Sequence, residues 1–518
     1  MGGRVEETAT EPRCPVLERV LTAVELHADR PAVVGADRTL SYAQVGATIE
    51  RVAGVLRDSA PPGSVVAVST RGGVDLPGVF LGVRAAGLVP YLLDAYLPRA
   101  RVEALLAVAR PAVVIEEAPP HRLRPGVPDP RVLPPAAGYV VFTSGSQGAP
   151  KGIVGNAAGL DRFLDWEVRE LALEPGRPAA VLTSPSFDVV LREMLVPLVC
   201  GGRLHVAGPR VRTDPRSVLP WLREEGVELL HLVPSLSARW LAGHDLGLPR
   251  LRWSVFAGEP LYARHVRQWR QAAPNSRIGN LYGPSETTLA KFWHRVDGPV
   301  EGLLPVGRPL PGTVLHRLPV PEHAAAAPGT FRIGIETPDG SLGYLDPDRI
   351  GEVAGTLRRA REVTLFETQD RGRTAPDGSL IVAGRLDSIV KRRGAAVDTA
   401  SIAAAALDDP GVEAACCFQV DRDAEGDLVL ALAVRGEPAV DRGALVTALR
   451  TALGPAMPDA VLACEQLPRL PSGKVDAGAV ARGLASGELA ARPLFGAARF
   501  GSTSVNDNPT NEREAQPR

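Results

Sequence analysis

Residues 139–152 read YVVFTSGSQGAPKG, an apolar run that leads directly into a loop of glycines and hydroxyls. A strand that ends in such a loop exposes backbone N–H groups and hydroxyls, which together suit a polyphosphate. The loop does not match a P-loop NTPase, because Pro150 precedes Lys151 and Gly152 follows it. It does not match a nucleophile elbow either, because Ser146 lacks the Gly-x-Ser-x-Gly order. From this stretch alone, a phosphate-binding loop and an ordinary solvated turn both remain open.

Helical and strand-like segments alternate along the first part of the chain. Ser41 and Gln44 have the spacing of a capping box at a helix start, and residues 65–68 (VVAV) are typical of a buried parallel strand. The alternation predicts an α/β fold, with a large N-terminal domain of layered, mostly parallel sheets covered by helices. Ligands of such sheets bind at the carboxyl ends of the strands.

Three further strand-like runs end in small or polar residues, namely those that lead into residues 186–188, 257–259 and 282–287. Glu286 lies in a Gly-Pro-Ser-Glu turn, and one carboxylate beside phosphate oxygens is a ligand set that Mg²⁺ accepts. The alternative is that Glu286 only stabilises the start of a helix.

The pattern changes in the last quarter of the chain. It predicts helices at 399–407 and 441–453 and strands at 412–420, 427–434 and 460–464. We therefore predict a large domain at 1–386, a small mobile C-terminal α+β domain at 387–490 and a disordered polar tail at 491–518.

Composition excludes several classes of protein. A chain of 518 residues exceeds one ordinary core, and a net charge of -1 provides no global field for nucleic acid or anionic lipid. The five cysteines show no Cys-x-x-Cys spacing, so neither a disulfide framework nor a zinc site is indicated. No export signal and no apolar run of membrane-spanning length is present. These features predict a cytoplasmic protein with no membrane or nucleic-acid partner.

The motifs occur in the order seen in adenylate-forming enzymes of the acyl-CoA synthetase and luciferase superfamily. The chain most resembles a free-standing amino-acid adenylation domain of nonribosomal peptide synthesis, over residues 15–485. The resemblance rests on residues 40–42, 83–94, 142–152, 187–188, 280–287, 368–370, 384–394 and 471–476.

The resemblance implies an enzyme that uses ATP and Mg²⁺ to form an acyl-adenylate and then passes the acyl group to a thiol. The catalytic residues that it implies are Lys474 at the substrate carboxylate and α-phosphate, Glu286 on Mg²⁺ and Ser285 on the α-phosphate. The implied ATP-binding residues are Thr143, Ser144, Gly145, Ser146, Gly148, Lys151, Gly258, Tyr282, Asp370 and Arg385. Since Lys474 lies on the small domain, we expect that domain to rotate about a hinge at Asp387 between the two half-reactions.

Four positions depart from the family pattern. Gln147 stands where threonine is common, Gln369 replaces the glycine of Thr-Gly-Asp, Val382 lies where an aromatic residue often packs on adenine, and Ala396 sits where arginine is usual. These changes bear on nucleotide affinity and loop closure, and none of them removes a charge that catalysis requires.

The resemblance also implies a substrate pocket. Its lining is Asp188, Val189, Arg192, His231, Val255, Ala257, Leu281, Leu289 and Ala290, together with Lys474. A carboxylate at Asp188 would pair with a substrate ammonium, whereas the alternative is that it caps a helix. The leucines favour a small amino acid such as alanine or serine. Arg192 either fills space and pairs with Asp188 or Glu193, or it binds the carboxylate of an acidic or β-amino acid.

The acyl acceptor is predicted to be a separate carrier protein with a phosphopantetheine arm, because the tail after Gly501 lacks the pattern of a carrier domain. Exposed arginines such as Arg392 and Arg393 are candidates for docking an acidic carrier. Two other classes remain open. A coenzyme A ligase would not need Asp188, and a catalytically silent binding protein would not need Lys474 or Glu286.

Overall fold

A computed structural model describes residues 14–116, 122–144, 150–241, 246–321, 329–345, 350–351, 356–360, 362–392, 395–409, 411–420, 427–434, 441–470, 474–496, 498–500 and 503–505. The chain divides into two compact units. The first comprises Met1–Leu318, Ile333–Thr368 and Thr374–Ile381, and the second comprises Pro319–Arg332, Gln369–Arg373 and Val382–Arg518. The boundary and the hinge predicted at Asp387 stay predictions.

The α-helices are α1 (Pro15–Leu26), α2 (Tyr42–Leu56), α3 (Leu76–Ala85), α4 (Arg99–Ala109), α5 (Ala157–Glu170), α6 (Val189–Val199), α7 (Pro209–Thr213), α8 (Val218–Glu224), α9 (Pro234–Leu241), α10 (Ala263–Ala272), α11 (Thr399–Ala406), α12 (Arg442–Leu453) and α13 (Ala477–Ser486). Short 3₁₀ helices span Pro215–Ser217, Ser285–Thr287 and Gly454–Ala456. No helix in the described ranges is long and apolar enough to cross a membrane.

The strands in the first half of the chain are β1 (Pro31–Val34), β2 (Thr39–Ser41), β3 (Val65–Thr70), β4 (Val89–Asp94), β5 (Val113–Glu116), β6 (Arg122–Pro125), β7 (Ala137–Ser144), β8 (Pro150–Asn156), β9 (Pro178–Val181), β10 (Arg203–Val206), β11 (Leu229–Leu232) and β12 (Trp253–Ala257). Those that follow are β13 (Arg277–Tyr282), β14 (Phe292–Val296), β15 (Arg308–Pro309), β16 (Val314–Leu318), β17 (Phe331–Thr337), β18 (Gly343–Leu345), β19 (Ile350–Gly351), β20 (Leu357–Ala360), β21 (Val363–Thr374), β22 (Leu380–Arg385), β23 (Ile389–Arg392), β24 (Ala395–Asp398), β25 (Val412–Gln419), β26 (Leu428–Val434), β27 (Ala460–Cys464), β28 (Arg492–Phe495), β29 (Ala498–Phe500) and β30 (Thr503–Val505).

Two large sheets organise the first unit. The nine-stranded sheet has the order β15-β14-β13-β12-β11-β9-β10-β1-β2, and the eight-stranded sheet has the order β19-β18-β8-β7-β4-β3-β5-β6. Parallel pairs, such as β11 with β12 and β12 with β13, occupy the middle of each sheet, whereas pairs such as β13 with β14 at the edges are antiparallel. A smaller sheet has the order β16-β17-β21-β20, with β22 paired to β21. The α/β class is confirmed, and the sheets are mixed at their edges.

The layers of the first unit follow from strands that are apolar on both faces. Val66 and Val68 of β3 share a core cluster with α1, α2, α5, α6 and one face of the nine-stranded sheet, whereas Val65 and Ala67 face a second cluster with α4. The other face of the nine-stranded sheet packs against α8 and α10. Because the middle strands are covered on both sides, polar chemistry is confined to their ends.

Local signals in the sequence are borne out at α2. The Ser41 hydroxyl accepts a hydrogen bond from the Gln44 backbone N–H at 3.3 Å, and the Gln44 side chain accepts one from the Ser41 backbone N–H at 2.8 Å. These two bonds are the predicted capping box.

The second unit has its own core of sheet and helices. Its main sheet has the order β25-β26-β27-β28, with α11 and α12 packed on it through residues such as Ile402 and Leu445. Strand β28 lies within the segment predicted to be disordered, and it is ordered because Leu494 is buried while the strand pairs with β27. Strands β29 and β30 form a hairpin, and residues 506–518 of the predicted tail lie outside the described residues.

Helix α6 is fixed to the end of β9 by one buried carboxylate. Glu193 is 1% exposed, and its side chain accepts hydrogen bonds from the Leu182 backbone N–H at 3.1 Å, the Thr183 backbone N–H at 3.0 Å and the Thr183 hydroxyl at 2.6 Å. Because the segment after β9 forms no strand there, this carboxylate satisfies donors that a sheet partner would otherwise satisfy. Glu193 therefore sets the position of α6.

We expect Glu193→Ala to lower the free energy of unfolding by about 3 kcal/mol or more, because it leaves buried backbone donors without acceptors. Thermal and urea unfolding measure the loss. Glu103→Ala is the matched control, since Glu103 is exposed and pairs with exposed Arg99 at 2.8 Å, and it should shift stability by at most about 0.5 kcal/mol. Equal unfolding midpoints for the two variants would contradict this role of Glu193.

Candidate active site

Four predicted pocket residues lie on one face of three neighbouring parallel strands. His231 of β11 is the register partner of Val255 of β12, and Ala257 of β12 is the partner of Leu281 of β13. Register partners and residues two apart share a face, so all four side chains point to the same side of the sheet. Val255 and Leu281 belong to the core cluster that includes α6. The strands therefore form one wall and α6 contributes the facing wall.

The lining leaves little accessible surface. His231, Val255, Leu281, Leu289, Ala290 and Arg192 are each buried, whereas Asp188, Val189 and Ala257 are half-buried.

Asp188 occupies the N-cap position of α6, but its side chain does not cap that helix. Its backbone has φ -59° and ψ -27°, and no capping bond forms between its side chain and the described first turn. Burial raises the pKa of Asp188, while the Ser285 hydroxyl, the Arg192 guanidinium and the Val189 backbone N–H act to lower it. The helix-cap alternative is therefore wrong, and Asp188 is directed towards the turn that carries Ser285.

Arg192 is 2% exposed and lies one helical turn after Asp188 on α6. The predicted pairing with Glu193 is wrong, because the Glu193 carboxylate is occupied by donors that follow β9. The charge of Asp188 interacts with Arg192, yet the guanidinium Nε has no hydrogen-bond partner in the described part of the chain. A buried guanidinium with an unused donor is costly unless an acceptor arrives with a ligand.

The buried partner of His231 is Glu167. His231 Nε2 lies 2.8 Å from Glu167 Oε1, and both side chains are 1% exposed. Sequence reasoning missed Glu167, although the signal was present. Leu160, Phe163, Leu164 and Glu167 have the 3.6-residue spacing of one helix face, so Glu167 stands in the apolar stripe of α5.

Glu286 lies in the one-turn 3₁₀ helix Ser285–Thr287 and is half-buried. The Tyr344 hydroxyl donates to Glu286 Oε1 at 2.7 Å, a contact that no sequence motif announced. Burial raises the pKa of Glu286, while the Tyr344 bond and the Lys151 charge act to lower it. The Lys151 ammonium lies 5.8 Å from the centroid of the Tyr344 ring. The side chains of Glu286, Tyr344 and Lys151 therefore form a small polar cluster next to the predicted substrate pocket.

The predicted phosphate loop joins β7 to β8. Thr143 is the register partner of Lys151, so both lie where the hairpin leaves the sheet. Ser144 closes β7, and Gly145, Ser146 and Gly148 lie outside the described residues.

The two residues matched to the adenine site lie at neighbouring strand ends. Gly258 follows β12 with φ 86°, a conformation that favours glycine, and a Cβ there would meet no described atom within 4 Å. Tyr282 closes β13, and its ring centroid is 5.8 Å from that of Phe292.

In the second unit, the structure brings together Asp370 and Arg385, the two residues to which the resemblance assigns the ribose hydroxyls. Arg385 Nη1 donates to Asp370 Oδ1 at 3.2 Å, while its Nε and Nη2 donate to the two oxygens of Asp387 at 2.8 and 2.7 Å. Such a fork orients the guanidinium and leaves Asp370 with acceptor capacity.

Lys474 is an exposed residue of the second unit. Its carbonyl accepts a hydrogen bond from the Leu470 backbone N–H at 2.8 Å, and residues 471–473 lie outside the described ranges. The docking role expected of Arg392 is wrong, because Arg392 is 8% exposed and donates to the Met457 carbonyl and to Asp459. Arg393 lies outside the described residues.

Comparison with known proteins gives a consistent result. Residues 20–319 match the family described as AMP-binding enzyme, and residues 401–474 match its C-terminal domain. AMB antimetabolite synthetase AmbB of Pseudomonas aeruginosa is 32% identical over 494 residues, which cover 88% of this chain and 38% of that protein. Novobiocin biosynthesis protein H of Streptomyces niveus is 30% identical over 487 residues, which cover 86% of this chain and 79% of that protein. The chain thus spans less than half the length of some relatives and most of others.

Among solved structures, a four-domain nonribosomal peptide synthetase bound to AMP and glycine has the same fold, with a TM-score of 0.77. It shares 23% sequence identity, and the match covers 91% of this chain and 36% of that one. The family matches and the Streptomyces relative show that this chain belongs to the AMP-binding enzymes and is an AMP-forming ligase.

Proposed function

We propose that this enzyme activates a small amino acid as its aminoacyl-adenylate and loads it onto the phosphopantetheine thiol of a separate carrier protein in natural-product biosynthesis. The observation that carries the proposal is the carboxylate of Asp188, which makes no N-cap bond to α6 and whose charge is stabilised by the Ser285 hydroxyl and by Arg192. A buried carboxylate without a cationic hydrogen-bond partner suits a substrate ammonium.

The first half-reaction joins the amino-acid carboxylate to the α-phosphorus of ATP. A carboxylate oxygen forms the new P–O bond, the bond between the α-phosphorus and the bridging oxygen breaks, and pyrophosphate leaves with that oxygen. Because two anions must approach each other, positive charge and fixed donors decide the rate. Ser285 and Lys151 would orient the phosphates, and Lys474 would supply charge at the reacting oxygens.

Mg²⁺ fits Glu286. Within the described ranges no three acidic, histidine or cysteine side chains gather as a metal site, so an ion at Glu286 would complete its ligands with phosphate and water oxygens, which Mg²⁺ accepts. When bound, it would neutralise charge that develops on the phosphates. The Tyr344 hydroxyl leaves the second oxygen of Glu286 available while it holds the first.

In the second half-reaction the thiolate of the carrier attacks the acyl carbonyl. A C–S bond forms, the bond from carbonyl carbon to phosphate oxygen breaks, and AMP leaves. Asp370 and Arg385 would hold the ribose hydroxyls through both steps. The hinge at Asp387 is proposed to exchange the groups that face the adenylate.

Pyrophosphate exchange tests this function. Wild-type enzyme should exchange label with a small amino acid and not with fatty or aryl acids. Asp188→Ala should lower kcat/KM for that amino acid by at least about a hundredfold, because the substrate ammonium is then buried without a counter-ion. Exchange with the deamino analogue should be unchanged. Preference for an aryl or fatty acid, with acyl transfer to coenzyme A, would instead show the coenzyme A ligase.

We expect Lys474→Ala to reduce exchange by about a hundredfold or more, because one preorganised charge at the reacting oxygens is worth ~3 kcal/mol or more. The fold should be unaffected, since Lys474 is exposed. Arg482→Ala removes another exposed cation from the same unit and serves as the control. Equal exchange rates in the two variants would reject Lys474 as the catalytic cation.

A second candidate substrate is a small acidic or β-amino acid, and the unused Arg192 Nε favours it. A substrate ammonium bound to Asp188 would compete with Arg192 for the Asp188 charge, and a carboxylate on the substrate would supply Arg192 with a new counter-ion.

Arg192→Ala separates the two candidates. If Arg192 only fills space, the variant should keep small neutral amino acids and also accept larger ones. If Arg192 binds a substrate carboxylate, the variant should lose an acidic substrate by at least about a hundredfold in kcat/KM and gain no good replacement. Exchange over a panel that includes alanine, serine, aspartate and β-alanine measures both outcomes.

A further inference from the structure

The turn that carries two lining residues has an unfavourable backbone. Thr288 has φ 59° and ψ 86°, and Leu289 has φ 61°. Two successive non-glycine residues in the left-handed region are rare, because their Cβ atoms crowd the backbone. Such strain persists only when neighbouring groups hold it. Here the strained pair sets where the Leu289 and Ala290 side chains point.

The group that holds this turn is Lys291. Its ammonium donates to the Thr288 carbonyl at 2.8 Å and lies 3.4 Å from the Ala290 carbonyl, while its backbone N–H donates to the Tyr282 carbonyl at 2.8 Å. Gly283 lies against the same turn, since a Cβ on it would come within 2.7 Å of the Leu289 carbonyl. The Lys291 ammonium therefore holds the turn from within, together with the Thr287 hydroxyl, which donates to the Leu289 carbonyl at 3.3 Å, and the close approach of Gly283 holds it from outside.

Burial makes this lysine unusual. Lys291 is 2% exposed, and burial lowers its pKa to about 8, with Arg162 acting in the same direction. The carboxylates of Asp339 and Asp188 act to raise it. A methionine or leucine would fill the same volume without the cost of burying an ammonium. The hydrogen bond from the Lys291 ammonium to the Thr288 carbonyl offsets part of that cost.

We propose that Lys291 is a positioning and specificity-determining residue of the acyl pocket, whose ammonium holds the Thr288 carbonyl and thereby the Leu289 and Ala290 side chains against the substrate. This inference rests on the proposed amino-acid activation. It assigns the size limit of the pocket to the conformation of a turn as well as to the volume of the two side chains.

Three variants test the inference in exchange assays of the full chain. Lys291→Met should raise KM for the preferred amino acid about tenfold or more and admit an analogue one methylene longer, with KM for ATP unchanged. Lys291→Gln keeps a neutral donor and should shift KM by less. Thr288→Gly in the Lys291→Met background should recover part of the loss, because glycine adopts the left-handed conformation without the bond. Arg169→Met, which removes an exposed cation on α5, is the control.

A parallel rise in KM for ATP and for the amino acid would overturn the inference, as would a fall in kcat alone or a failure of Thr288→Gly to recover any affinity. If Lys291→Met does not fold, the same comparison is made between Lys291→Gln and the double variant that combines Lys291→Gln with Thr288→Gly. The proposed function fails separately, if wild-type enzyme exchanges label with no amino acid. In that case the variants are assayed with the acid that wild-type enzyme does activate, so the two failures are distinguishable.

Discussion

The site depends on the three hydrogen bonds that Glu193 accepts from the chain after β9. They fix α6 against the nine-stranded sheet, and α6 carries both Asp188 and Arg192. Glu193 directs its two oxygens to these donors, and the structure shows no ion pair between Glu193 and Arg192 among the described residues. The Arg192 Nε is left without a hydrogen-bond partner in the same described ranges, so this buried donor is available to a ligand.

The strand ends contribute the remaining polar groups, and register explains why they meet. Parallel pairing of β11, β12 and β13 brings His231, Val255, Ala257 and Leu281 to one face, although 50 residues separate the first from the last. The antiparallel pair β7–β8 sets Lys151 at the end of the other large sheet. None of these side chains is distinctive by itself. The strand order and register of the two sheets bring them together.

Sequence predicted the parts of this arrangement that local patterns specify. The Ser41 capping box, the buried strand β3, the helices α11 and α12 and the strands β25, β26 and β27 followed from motifs or spacing. Long-range contacts did not follow, since Tyr344 and Glu286 are 58 residues apart and no period links them. The strand β28 was missed because its stability comes from one buried leucine and pairing with β27, a strand distant in sequence, which no local pattern reveals.

The balance between size and polarity in the lining decides how selective such a site is. Leu281, Leu289 and Val255 limit volume, but one methylene in an apolar pocket changes the transition-state free energy by only about 1–3 kcal/mol. Buried polar groups discriminate more strongly, because a substrate that fails to bond them leaves them desolvated and unpaired. Arg192 and the His231–Glu167 pair are such groups, and each is at most 3% exposed. Selectivity should therefore be determined by whether the substrate satisfies these donors and acceptors, with the leucines and the strained turn setting only the length that fits.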